Sequence, residues 1–139
     1  MAMHLDQPIA SRAPGARQWW SVVTTLLVIA IFAQAVFAGA MLSGFDWAAK
    51  AHAANGLFTV AAAFAASLVS LVTLRRIQNG LKLGLLLLAL AAVLFVQFAL
   101  GRMAAKGANL MWLHIPLGVA LVALAGQGVA RARKLGEEK

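Results

Sequence analysis

The chain has 139 residues, 63% of them hydrophobic and only 12% charged, whereas soluble domains run about 45–50% apolar and about 25% charged. A mean hydropathy of +0.86 leaves too few polar side chains to coat a soluble globule, which excludes an ordinary cytosolic enzyme. The absence of cysteine and tyrosine further excludes disulfides, thiolate metal sites, iron–sulfur clusters, covalent heme attachment and phenolic proton donors. The net charge of +8 sits in short clusters between apolar runs, the pattern of membrane topology signals and lipid-headgroup contacts rather than of nucleic-acid binding.

In chain order, residues 1–18 are polar and carry Pro8, Pro14 and Gly15, so a disordered tail is expected. A transmembrane helix needs about 20 mostly apolar residues, and four stretches within 19–131 qualify: about 20–42, 47–74, 81–104 and 110–130. The first is too long for the apolar core of a signal peptide, and Ala38-Gly39-Ala40 is a weak cleavage site, so the span is expected to be retained. The links are Ser43-Gly44-Phe45-Asp46, the basic Arg75-Arg76-Ile77-Gln78-Asn79-Gly80, and Lys106-Gly107-Ala108-Asn109; residues 132–139 form a polar tail. Asp46 and Asn109 read as helix caps.

One set of tails and links carries Arg12, Arg17, Arg75, Arg76, Lys82, Arg131, Arg133, Lys134 and Lys139, the other only Lys50, Arg102 and Lys106. That bias places both termini in the cytoplasm and the two short links outside. Trp19 and Trp20 fit a cytoplasmic aromatic belt, and Trp47 and Trp112 the outer one.

Shifted by 62 positions, the first helix pair aligns with the second without a gap: Gly39 on Gly101, Met41 on Met103, His52 on His114 and Gly56 on Gly118. The expected fold is therefore an all-α integral membrane four-helix bundle made of two tandem two-helix repeats, related by a pseudo-twofold axis along the membrane normal. His52 and His114 then lie at equal depth near the outer ends of the second and fourth helices, facing across the axis, where two imidazoles can hold a metal from opposite sides. Gly56 and Gly118 follow one turn deeper on the same face and leave room for a flat macrocycle. Thr59, Ala63 and Ser67, with Ala125 opposite, extend that small-residue face, and Gly39 and Gly101 offer clearance on the other two helices. Histidines and small residues also occur at helix contacts in lipid without any cofactor, but ionisable groups in spans point first to function. No carboxylate or thiolate stands near either histidine, which counts against zinc and copper.

Among the other polar groups, Gln34 and Gln97 are mid-span and are expected to hydrogen-bond between helices or to line the cofactor site. Met41 and Met103 fit packing better than ligation. Arg102, beside Gly101, is the best partner for a heme propionate, ahead of Lys50 and Lys106, its rival role being a reach to lipid phosphate. Asn55 and Pro116 have no assigned role.

Four helices with one histidine near the outer end of the second and another near that of the fourth resemble one half of heme A synthase, across about residues 20–130. The resemblance implies that His52 and His114 are an axial pair on a heme. The catalytic half of that enzyme has a Glu three residues before the first His and an Arg just after it; here these positions are Ala49 and Ala53. The chain thus resembles a heme-holding half without the oxidising machinery.

The expectation is a small membrane b-type cytochrome of a bacterial inner membrane, binding one non-covalent heme b through His52 and His114, for electron transfer or heme handling rather than catalysis. Saturated axial ligation argues against oxygen binding. The implied partners are the lipid bilayer, the heme, and a quinone or redox protein. A cofactor-free accessory or structural subunit is the alternative. A small transporter ranks lower, because no Asp or Glu lies within a span to couple protons. No phosphate loop, nucleophile–base pair or carboxylate dyad appears.

Overall fold

The computed structural model describes residues 13–137. These form four α-helices and no strand: α1 (Ala13–Leu42), α2 (Ala48–Thr73), α3 (Gly80–Ala104) and α4 (Met111–Arg133). All four are long and apolar enough to cross a membrane, and the protein is a four-helix membrane bundle.

The short links force each helix to return antiparallel to its predecessor. Each also packs on two neighbours in the cyclic order α1–α2–α3–α4, so α1 faces α3 and α2 faces α4 only across the diagonals. The start of α1, the α2–α3 turn and the end of α4 share one end. There the Asn79 amide donates to the main-chain carbonyls of Lys134 and Glu137, and Arg17 lies 3.6 Å from Glu137. Asn79 opens α3 at φ 64°, a left-handed conformation that asparagine tolerates better than most residues. The next residue is glycine because a Cβ there would stand 2.1 Å from the Leu74 carbonyl oxygen.

At this end the structure differs from the sequence reading in three ways. Helix α1 begins at Ala13, so residues 13–18 are helical rather than tail; Pro14 is tolerated because the first turn has no intrahelical use for its missing N–H. The rest of the expected N-terminal tail, residues 1–12, lies outside the described residues. The C-terminal segment is not simply a tail either, since Ala132 and Leu135 are buried and the Gly136 amide donates to the Gln78 carbonyl. Trp20 is buried in the core rather than placed in a belt, while Trp19, Trp47 and Trp112 are exposed. At the other end, α2 and α4 start without a side-chain cap, their N-cap positions being Trp47 and Leu110, so Asp46 and Asn109 do not serve as caps.

Burial divides the bundle along its axis. From the α2–α3 turn inward, Leu27, Ala63, Ser67, Leu83, Leu87, Leu90 and Ala125 fill the space between the helices. The buried hydroxyls there close onto their own helices: Thr24 donates to the Trp20 carbonyl at 2.7 Å and Ser70 to that of Ser67 at 2.8 Å. Toward the two short links burial stops at Ile31, Thr59, Leu94 and Leu121, and beyond them Ala48 alone among the described residues is buried.

Candidate functional site

Above that floor the four helices enclose a cavity of about 390 Å3, open at the short-link end. Each helix contributes wall at helical spacing. Ile31, Gln34 and Met41 come from α1, and Leu94, Gln97, Phe98 and Gly101 from α3. Ala49, His52, Ala53 and Gly56 come from α2, and Met111, His114 and Gly118 from α4. The wall is mostly apolar with a few convergent polar groups, the usual make-up of a small-molecule site, and its volume lies within the common range of about 300–1,000 Å3.

His52 is the fifth residue of α2 and His114 the fourth of α4, so the two occupy matching heights on diagonal helices. Their rings meet edge to face, with centroids 6.3 Å apart and planes at 65°. Each ring is held by a glutamine on the preceding helix. The Nδ1 of His52 lies 3.2 Å from the main-chain carbonyl oxygen of Gln34, and that of His114 lies 3.1 Å from the carbonyl oxygen of Gln97. A carbonyl only accepts, so in the neutral rings the proton is on Nδ1 and the lone pair on Nε2. The same glutamines reach the histidine main chain: the Gln34 amide donates to the His52 carbonyl at 3.2 Å, and the Gln97 amide to the His114 carbonyl at 2.8 Å. The glutamines therefore tie the helices together, and both also line the cavity.

Gly56 and Gly118 line the cavity, but the space they leave is shared with these amides. A Cβ at Gly56 would stand 3.3 Å from the Gln34 amide nitrogen and 3.3 Å from the Phe98 ring; one at Gly118 would stand 3.0 Å from the Gln97 amide nitrogen. Gly101 presses closest, its would-be Cβ 2.9 Å from Cε1 of His114. Gly39 differs: nothing lies within 4 Å of where its Cβ would be, and it is not part of the wall. Arg102 is exposed at the rim and lines the cavity, whereas Lys50 and Lys106 do not. Met41 lines it and Met103 faces outward. Thr59 lies in the floor, and the small residues below it, Ala63, Ser67 and Ala125, are packed core rather than clearance.

The register read from Gly39/Gly101 and Met41/Met103 is offset by one at the cavity. Wall positions recur at 62 between α2 and α4 (Ala49/Met111, His52/His114, Gly56/Gly118, Thr59/Leu121) but at 63 between α1 and α3 (Ile31/Leu94, Gln34/Gln97, Met41/Ala104). The separation from glutamine to histidine is 18 in the first helix pair and 17 in the second, which absorbs the difference.

Five residues escape sequence reasoning. Ile31, Leu94 and Leu121 are indistinguishable by type from the lipid-facing residues around them. Phe98 comes next to Gln97, and only its place above the floor marks it. Asn55, unassigned from sequence, donates to the Ala30 carbonyl at 2.9 Å and pins α2 to α1 one turn below His52. Its own carbonyl accepts from Thr59 at 2.7 Å.

Comparison with protein-family models, characterised proteins and solved structures finds no match to this chain. The function therefore has to be argued from the cavity itself.

Proposed function

We propose that the protein is a small b-type membrane cytochrome that holds one non-covalent heme between His52 and His114. The facing imidazole pair carries this reading. Two imidazole nitrogens bound at about 2 Å to a common metal would put the ring centres roughly 6 Å apart, and the observed separation is 6.3 Å. Hydrogen bonds at Nδ1 put the lone pair of each ring on Nε2, the outer-sphere arrangement that ligating histidines commonly have.

The donor set favours heme over a bare ion. Among the described residues no group of three or more His, Cys, Asp or Glu comes together, whereas a structural zinc site takes four protein ligands. A macrocycle would fill the positions that two imidazoles leave open on an iron. The cavity's apolar wall suits a porphyrin, and Arg102 at its open rim suits a propionate.

When bound, the heme supplies one-electron exchange at its iron. The residues set its conditions: His52 and His114 hold it, Ile31, Thr59, Leu94 and Leu121 stop water and porphyrin at the floor, and Arg102 adds positive charge at the mouth. The recurrence of wall positions in the two helix pairs supports tandem repeats about an axis along the membrane normal. The loop charge bias supports both termini in the cytoplasm of a bacterial inner-membrane protein, with the heme near the outer face. Electron transfer or heme handling, with a quinone or redox protein as partner, fits such a site.

One contact favours the cofactor-free alternative. The Gln97 amide nitrogen lies 3.4 Å from Nε2 of His114 and offers that lone pair a donor without any metal.

Titration of the purified protein with hemin separates the two readings. One heme per chain with a sharpened Soret band is the expected result, and a colourless protein contradicts it. In the loaded protein Arg102→Ala should lower the midpoint potential, since removing a nearby positive charge favours the ferric state.

A further inference from the structure

The second glutamine–histidine pair contains a competition that the first lacks. A carboxamide has two N–H donors and one acceptor oxygen, and Gln97 directs both donors at His114. One goes to the His114 main-chain carbonyl at 2.8 Å. The same amide nitrogen lies 3.4 Å from Nε2 of the ring, which carries the lone pair because Nδ1 donates to the Gln97 main-chain carbonyl. The Gln34 side chain reaches only the His52 carbonyl, at 3.2 Å. The glutamine precedes its histidine by 17 residues in the second pair and by 18 in the first, so the two amides do not meet their histidines alike. The oxygen of the Gln97 amide gains nothing from this arrangement. Among the described residues it is the one buried side-chain oxygen or nitrogen without a hydrogen-bond partner, a costly state for a carbonyl.

Resting on the heme reading, we infer that Gln97 is a positioning residue that gates the site. Its amide and a heme iron compete for the one lone pair on Nε2 of His114, and heme is held only with the Gln97 side chain turned away. The side chain, rather than the ring, is the part that yields. The ring is tied to α3 through Nδ1, and a Cβ on Gly101 would come within 2.9 Å of its Cε1. Gln97 lines the cavity, and rotation of its flexible side chain opens the shut-in oxygen to that space, which offsets the bonds given up. Gly118 leaves the amide its place beside the ring, since a Cβ there would stand 3.0 Å from the amide nitrogen. No amide competes in this way at His52.

The test titrates the full-length protein in detergent with hemin. Gln97→Leu keeps apolar bulk and removes the competing donor, so it should bind hemin about fivefold more tightly than the native protein, the worth of one neutral hydrogen bond. Gln34→Leu changes the wall in the same way but removes no competitor, and should not gain. No gain in Gln97→Leu, or an equal gain in both variants, overturns the assignment. A second measurement needs no variant. Six-coordinate low-spin heme is diamagnetic when reduced, so the Gln97 amide can be followed by NMR before and after loading. A nuclear Overhauser effect from its protons to the ring protons beside Nε2 of His114 should be present before loading and lost after it. Its persistence in the loaded protein overturns the gate and leaves the heme reading intact. If neither the native protein nor the two variants take up hemin, the heme reading fails and the gate fails with it.

Discussion

The same four helices behave differently on the two sides of the layer formed by Ile31, Thr59, Leu94 and Leu121. On the side of the α2–α3 turn they close, and leucines, alanines and self-satisfied hydroxyls fill the axis. On the side of the short links they part around a cavity, and Ala48 alone is buried among the described residues. Composition does not explain the contrast, since both halves are apolar. What differs is the use of small residues. In the closed half Gly84, Ala63 and Ala91 let helices approach, and an added Cβ on Gly84 would meet Leu71 at 2.7 Å. In the open half Gly56, Gly101 and Gly118 make room instead for glutamine, phenylalanine and histidine side chains. Small residues in a membrane bundle thus serve either association or a site, and their contacts tell which.

Several substitutions sharpen that contrast. The all-or-none one concerns orientation. Because the chain has no cysteine, single cysteines at Ser43 and Ala108 should react with an impermeant thiol reagent from outside, and one at the exposed Gln78 should not. Labelling of Gln78→Cys alone from outside reverses the topology. Next in size, Leu87→Ala in the closed half should cost about 2–5 kcal/mol by opening a void in a packed core, read as a lower unfolding midpoint in detergent. Gly80→Ala should cost about 1–3 kcal/mol through overpacking against the Leu74 carbonyl, and would refute the account of the turn if it were neutral. In the open half Gly118→Leu should cost about 1 kcal/mol, the low end of overpacking, because a Cβ there meets only the flexible Gln97 amide, at 3.0 Å. It should nonetheless prevent heme uptake, and unimpaired uptake would place the porphyrin elsewhere.

Much of the closed half was legible in the sequence only as hydropathy. Four apolar runs bounded by charge and glycine fix the number of spans, because a bilayer demands that length whatever the packing. Which leucines meet at the axis is invisible when nearly every position is apolar, and Trp20, expected at an interface, is buried for that reason. The site was more legible, since His52, His114, Gln34, Gln97 and Arg102 are rare polar letters in an apolar text, and the structure gathers all five. Gly39, matched to Gly101 on an ungapped alignment, lies outside the cavity wall, where positions of α1 and α3 recur at 63 rather than 62. The left-handed cap at Asn79 was hidden because it depends on carbonyls of Lys134 and Glu137, more than fifty residues away.

The central claim is that one metal lies between His52 and His114. Its most direct test is the low-temperature electron paramagnetic resonance spectrum of the hemin-loaded ferric protein, beside that of the His52→Ala/His114→Ala double variant. A low-spin signal from six-coordinate heme in the native protein and none in the double variant is the expected result. A high-spin signal in the native protein, or the same low-spin signal in both, would contradict it.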